Sequence, residues 1–287
     1  MNDHSLEIPG HLTLTAGEGG LQKILVESAF SRAEIYLHGA HVTQFQKHGE
    51  PPLLFMSAAS EFAAGKPIRG GVPVIFPWFG GRDGHPAHGF ARITEWELVS
   101  TAILPSQAVQ LILRLPDSDG YEVDFVVTVG DQLSMELRVT NTSEQPFTFE
   151  NCLHTYFHIS SISDISITGL SNTRYHDKVA DLVATEGHEP IRFQGEMDRV
   201  YFNTTATTEI ADPGFGRKIC IAKSGSQSTV VWNPWIAKSI RMPDFGDEEF
   251  VGMVCVESGN VADDQITLPP GDRAVLAVNL SSESLFI

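Results

Sequence analysis

Apolar and polar residues alternate with a period of two over long parts of this chain. Val109, Leu111, Leu113 and Leu115 fall on one side of a run that gives way to Pro116-Asp117-Ser118-Asp119-Gly120. Tyr121, Val123, Phe125, Val127 and Val129 repeat the pattern as far as Gly130-Asp131, and Leu133, Met135, Leu137 and Val139 repeat it before Asn141. Successive side chains of a strand point to opposite faces, so these runs predict three half-buried strands joined by tight turns, an antiparallel meander. Shorter β-like runs follow at Ile165 and Ile167, Ile219 and Ile221, Val230 to Trp232, and Val251 to Val256. Ala274, Leu276, Val278 and Leu280 give a last clean alternation. Helical periodicity is almost absent; the best short helix runs from Ser57 to Ala64 and stops at Gly65. Many short strands with few helices predict an all-β fold, a large antiparallel β-sandwich or a barrel-like relative of it. No composition break marks a linker and no repeat recurs at a fixed period, so residues 1–287 are expected to form a single domain.

The hydrophobic fraction of 42% is enough for a substantial core. Charge narrows the partners. With 36 acidic against 19 basic residues the formal net charge is −17, which argues against nucleic acid, because phosphate backbones are gripped by basic surfaces. A small phosphorylated ligand is not excluded, since it needs only a local positive pocket. The start, M-N-D-H-S-L-E-I-P-G, lacks the basic and apolar pattern of a signal peptide. No apolar run approaches the roughly 20 residues that cross a bilayer, so no membrane association is expected. Cys152, Cys220 and Cys255 are odd in number and lack C-x-x-C spacing. They read as free thiols in a reducing compartment, and the protein as soluble and cytoplasmic.

One stretch is out of character. Lys66 to Arg92 (K-P-I-R-G-G-V-P-V-I-F-P-W-F-G-G-R-D-G-H-P-A-H-G-F-A-R) carries Lys66, Arg69, Arg82 and Arg92 against a lone Asp83, with four prolines, six glycines and the aromatics Phe76, Trp78 and Phe79. Proline fixes φ and glycine permits positive φ, so the segment predicts a stiff, irregular loop around one short apolar run. Aromatic faces cover sugar C–H surfaces and arginine forks grip hydroxyls or phosphates, so carbohydrate suits it. The competing reading is a buried strand flanked by ordinary surface arginines.

Four further motifs carry candidate chemistry: H-G-F-A-R (88–92), L-H-T-Y-F-H (153–158), D-R-V-Y (198–201) and V-C-V-E-S-G-N (254–260). His154 lies in a strand-like stretch among apolar residues, where a strand would put Cys152, His154, Tyr156 and His158 on one face. It is either a ring satisfied by a backbone carbonyl or a catalytic group. Glu257 ends an apolar run; it either points into water or is buried, and burial would raise its pKa toward that of a working general base. A histidine and a carboxylate together suit reactions that move one proton onto and another off the same substrate. No G-x-S-x-G, dinucleotide-binding glycine pattern or Walker loop is present. A metal site from His154, His158 and His88 has loose, non-diagnostic spacing, and none is expected.

R-G-G-V-P-V-I-F-P-W-F-G, H-G-F-A-R, L-H-T-Y-F, D-R-V-Y and V-C-V-E resemble the aldose 1-epimerase (mutarotase) superfamily, most closely its hexose-6-phosphate mutarotase branch, the glucose-6-phosphate 1-epimerases. The resemblance spans essentially the whole chain, with the motifs in the family's order. It implies a galactose mutarotase-like supersandwich with a sugar cleft on its concave face, working without cofactor as a monomer on a hexose phosphate, glucose 6-phosphate first. By resemblance His154 matches the general acid that protonates the ring oxygen, and Glu257 the general base that takes the anomeric hydroxyl proton. Asp198 matches the aspartate that holds sugar hydroxyls, Arg69 and Arg92 the phosphate-binding arginines, and His88 lines the same cleft. Trp232 is placed either as a lid over the sugar or as a packed core residue. Some relatives carry Gln just before the H-G-F-A-R histidine, where this chain has Ala87. Two other functions remain open on the sequence, a mutarotase of unphosphorylated aldoses and a carbohydrate-binding protein without turnover.

Overall fold

The computed structural model describes residues 6–116, 120–187 and 189–285. The expected meander is present as Val109–Arg114, Tyr121–Val129 and Leu133–Asn141, with Leu113 opposite Phe125 and Phe125 opposite Leu137. Asp117, Ser118 and Asp119 of the expected first turn lie outside the described residues. The alternation is the burial pattern: Leu111, Leu113, Val123, Phe125, Met135, Leu137 and Val139 have no exposed surface. The meander belongs to an antiparallel eight-stranded sheet that continues through Arg273–Ser284, the last alternating run, to Arg217–Ser224, Thr208–Asp212 and Ser166–Thr168.

A second antiparallel eight-stranded sheet faces it. Its order is Leu182–Thr185, Arg174–Asp177, Met197–Tyr201, Ser228–Asn233, Met253–Asn260, Asn151–Leu153 and Val74–Ile75, with Tyr156–His158 also paired to Met253–Asn260. Every residue of Ser228–Asn233 and of Met253–Asn260 is buried. Two different environments cause this. Val231, Val254 and Val256 enter the core shared with the meander sheet, while Trp232 and Cys255 on the other face pack with Phe55, Tyr156 and Phe245. A strand covered on both sides needs no alternation, which is why Val230–Trp232 and Val254–Val256 read as continuous apolar runs. The expected strand from Val251 starts later, because Glu249–Gly252 is a 3-10 turn. A four-stranded sheet of Leu12–Ala16, Gln22–Glu27, Ser31–Tyr36 and His41–Lys47 completes the core with Leu12, Ile24, Ile35 and Val42.

The helix expected over Ser57–Ala64 is not formed. Its backbone is satisfied by the neighbouring loop instead: Ser57 N donates to Arg69 O at 3.1 Å, and Arg69 N donates to Ser60 Oγ at 2.8 Å. The single α-helix among the described residues is Trp235–Ser239. The Lys66–Arg92 stretch is irregular as expected, with only Val74–Ile75 paired into a sheet and a 3-10 turn at Ala91–Ile93. Two of its glycines are obligatory. Gly71 has φ +57° and Gly89 φ +72°, and a Cβ at either would sit 2.3 Å from Val42 O or 2.0 Å from Phe76 O. R-G-G and H-G thus mark places where this loop is pressed against backbone.

Candidate active site

Strand register assembles the site. Asp198 lies opposite Trp232, Trp232 opposite Cys255, and Cys255 opposite Tyr156. Directly opposed residues of an antiparallel sheet share a face, so the four form a row across the sheet, and Glu257 stands two residues beyond Cys255 on that face. Lys178 extends the row, its backbone N donating to Asp198 O at 2.8 Å. The Lys66–Arg92 loop adds Arg69, Phe79, Gly80 and His88, and the helix and the turn after it add Lys238 and Met242. Together with His154 and Val230 they line a cavity of about 350 Å³.

His154 is not within a strand. The chain breaks between Asn151–Leu153 and Tyr156–His158, and His154 N donates to Pro73 O at 3.1 Å, tying the break to the loop. The expected common face of Cys152, His154, Tyr156 and His158 therefore fails at His158, whose ring packs on Phe215 at 5.1 Å and is not part of the cavity lining. The histidine trio considered for a metal is accordingly not assembled. The His154 ring stacks on Tyr156 at 5.0 Å and meets His88 edge-on at 5.7 Å and Trp232 at 6.1 Å. His88 accepts from Gly80 N through Nδ1 at 3.3 Å and sits edge-on to Phe79 at 4.7 Å.

At the bottom of the cavity His154 Nε2 lies 3.2 Å from Glu257 Oε1, with the residues 8% and 1% exposed. Cys152 Sγ donates to the other carboxylate oxygen at 3.5 Å. Burial, reinforced by the nearby Asp198 charge and opposed by Lys178, pushes the Glu257 carboxyl well above the usual range. Burial and the charges of His88, Arg92 and Arg69 push the His154 imidazolium well below its usual range. Both shifts favour the uncharged forms, carboxyl over carboxylate and imidazole over imidazolium. His154 Nδ1 is buried with no hydrogen-bond partner among the described residues. Two groups poised this way can give a proton to one oxygen of a ligand and take one from another.

The cations are placed unequally. Arg69 donates through Nε and Nη2 to Asp244 Oδ2, at 3.2 and 3.0 Å, and through Nη1 to Tyr156 Oη at 2.9 Å. Arg92 does not line the cavity; its Nη2 donates to Ala87 O at 2.7 Å and its buried Nε has no partner among the described residues. Burial and the Arg69 charge bring Arg92 down to about 10, despite nearby Tyr156, Asp244 and Glu257. Burial and the charges of Arg92, Lys178 and Arg69 likewise hold His88 at about 3. Trp232 joins the two readings made of it, since it packs in the cluster with Phe55 and Tyr156 and also lines the cavity. Lys178 and Lys238 were not anticipated from the sequence. Lys178 Nζ stands 4.7 Å over the Phe79 ring, and Lys238 Nζ lies 3.1 Å from Glu196 and 3.7 Å from Asp198. Neither lies in a patterned run; Lys178 is brought to the site by its backbone bond to Asp198, and Lys238 by the helix that follows the Trp232 strand.

A nearly all-β architecture of packed antiparallel sheets is the fold of the galactose mutarotase-like proteins. A solved galactose mutarotase-like protein from Clostridium acetobutylicum superposes with a TM-score of 0.73 over 95% of this chain and 98% of its own, at 14% identity. The chain belongs to the aldose 1-epimerase family, whose profile matches residues 22–281. A Cenchrus ciliaris protein named "Putative glucose-6-phosphate 1-epimerase" is 36% identical over 274 residues, covering 88% of this chain and 82% of its own length. A protein of the same name from Escherichia coli is 34% identical over 254 residues, covering 85% of each. The crystal structure of a "putative mutarotase" from Salmonella typhimurium matches with a TM-score of 0.89 at 28% identity, over 96% of this chain and 95% of that one. The chain is thus an aldose epimerase of the mutarotase type. No described helix is long and apolar enough to cross a membrane.

Proposed function

We propose that this epimerase interconverts the α and β anomers of a hexose 6-phosphate, glucose 6-phosphate first among them. The observation that carries the substrate class is electrostatic. In a chain of net charge −17, Arg69, Arg92 and Lys178 act together with burial to hold His88 far below its usual pKa, and the first two do the same to His154. Arg69 and Lys178 line the cavity and Arg92 is near enough to act on both histidines, and cations so grouped are suited to a dianion. The names of the two relatives point to the same substrate.

In this reading His154 gives its proton to the ring oxygen while Glu257 takes the proton of the anomeric hydroxyl. The C1–O5 bond breaks, leaving an open-chain aldehyde. After rotation about C1–C2 the same two groups act in reverse, and closure on the other face gives the other anomer. Asp198 holds sugar hydroxyls, and Trp232 and Phe79 cover apolar sugar surface. The forms that burial favours, protonated carboxyl and neutral imidazole, are those that accompany the open-chain aldehyde. Ring opening starts from the opposite state, with the proton on His154. A phosphate held among Arg69, Arg92 and Lys178 cancels part of the field that disfavours the imidazolium, so a phosphorylated sugar helps to charge its own acid.

Inorganic phosphate tests the substrate class. It is expected to bind the wild-type protein in calorimetry and to compete with glucose 6-phosphate. Binding should weaken in Arg92→Ala and in Lys178→Met. Absence of phosphate binding, together with undiminished turnover of free glucose, would make this a mutarotase of neutral aldoses.

A further inference from the structure

Cys255 takes no part in the proton transfers described above. Its thiol is fully buried and shares a strand face with Glu257, in the position opposite Tyr156 and Trp232. One donor atom from each of His154, Cys255 and Glu257 lies within 4.8 Å of the other two, and the nitrogen–oxygen pair is already 3.2 Å apart. Zinc holds nitrogen, oxygen and sulfur at roughly 2.0–2.3 Å, which spaces its donors roughly 3.3–3.8 Å apart around a tetrahedron. The three side chains therefore need to close by about 1 Å at their widest pair, within the reach of small side-chain torsions. A mixed nitrogen, sulfur and carboxylate set suits a borderline-soft ion, whereas magnesium and calcium prefer oxygen alone.

We infer that His154, Cys255 and Glu257 form a three-ligand site for a divalent cation of the zinc class, and that its occupancy switches the epimerase off. Charge balance supports this. Binding displaces the proton of the thiol and that of the carboxyl, both of which leave to solvent. The products are thiolate, carboxylate and neutral imidazole around a divalent ion, a set with no net charge, as the protonated trio had none. A buried site gains from that neutrality. His154 and Glu257 line the cavity, so an ion held by them and the reacting end of the sugar compete for one place. Arg69 and Arg92 oppose a cation here, which leaves the thiolate as the ligand on which affinity turns. Control of turnover by the ion rests on the acid–base pair proposed above, whereas binding of the ion does not.

Cobalt(II) reports a thiolate ligand by a sulfur-to-metal charge-transfer band and gives visible bands sensitive to coordination. Metal-free wild-type protein titrated with cobalt is expected to develop both, and zinc to displace them. Cys255→Ala should lose the charge-transfer band, keep the metal-free exchange rate, and need on the order of tenfold more zinc for half inhibition. Cys255→Ser, which preserves volume, should follow it, while Cys152→Ala should keep the band. A band that survives in Cys255→Ala, or equal zinc inhibition of wild type and Cys255→Ala, would overturn the site. If metal-free wild type does not turn over, the epimerase reading fails while the cobalt spectra still decide the metal site.

Discussion

Replacing Glu257 by Gln separates catalysis from folding at this site. The carboxyl is 1% exposed and 3.2 Å from His154 Nε2, so the near-isosteric amide fits the same space but cannot accept the anomeric proton. A positioned general base is worth a factor on the order of 10² to 10⁴, or about 3–5 kcal/mol of barrier. Stability should move the other way. The folded protein raises the Glu257 pKa, so it holds that proton more tightly than the unfolded chain does. Any stability tied to the protonated carboxyl is present below the ordinary value of 4.5 and is lost as pH rises through and beyond it. At pH about 8 the wild type bears the cost of a buried acid at a pH where the unfolded chain is ionised, and the amide does not. Glu257→Gln is therefore expected to unfold at the same temperature as wild type or higher. Saturation transfer between the α and β anomeric proton signals of glucose 6-phosphate gives the rate, and thermal unfolding at two pH values gives the stability. Near wild-type exchange would remove Glu257 from the chemistry. A large fall in both rate and Tm would mean that it holds the fold together.

Arg92→Ala is expected to impair glucose 6-phosphate far more than free glucose, by about 1.5–3 kcal/mol, because a charge-assisted contact is lost that a neutral sugar never makes; equal losses on both sugars would show that Arg92 braces the loop through Ala87. Lys178→Met should slow exchange of both sugars, since it removes the cation that opposes the raised Glu257 pKa and so favours the proton on the carboxyl over His154; that transfer leaves the pair's proton count unchanged, so recovery of the rate as pH is raised would contradict it. Acid should destabilise the protein early. Burial, helped by His38 and Arg92 and opposed by the Gly70 carbonyl, holds His41 at about 3, and burial with nearby cations holds His88 at about 3, against 6.5 when unfolded. Depressed histidines lose stability as pH falls below 6.5, on the order of 2–3 kcal/mol each by pH 4.5, so urea midpoints should fall over that range and fall less in His41→Gln, which leaves the charge-free partner to Gly70 O.

The meander was legible because one of its faces is core and the other is not, so Leu111, Phe125 and Leu137 announce themselves by alternation. The strand bearing Glu257 was legible only as an apolar run, because the cavity floor covers its second face. The loop was recognisable from its glycines and prolines, and Gly71 and Gly89 show why those positions admit nothing larger. The false helix at Ser57–Ala64 came from alanines and Glu61, good helix formers whose preference is overridden by tertiary bonds from Ser57 N to Arg69 O and from Arg69 N to Ser60 Oγ. Among the site residues, His154 and Glu257 stood in motifs. Lys178 and Lys238 did not: the strand pairing that sets Asp198 beside both the Lys178 segment and Trp232 is between segments apart in sequence, and Lys238 reaches Asp198 from the short helix after Trp232. The separate position of His158 depends on a two-residue break in a strand, which no periodicity records.

The central claim is that the His154–Glu257 pair exchanges anomers of a sugar whose phosphate is read by the surrounding cations. Magnetisation-transfer NMR on equilibrated glucose 6-phosphate and on equilibrated glucose, each with and without metal-free protein, tests it most directly. The spontaneous rate is subtracted from each. Catalysed α-to-β exchange is expected for glucose 6-phosphate, lost in Glu257→Gln, with little catalysis of glucose at the same concentration. Equal catalysis of both sugars, or none of either, would contradict it.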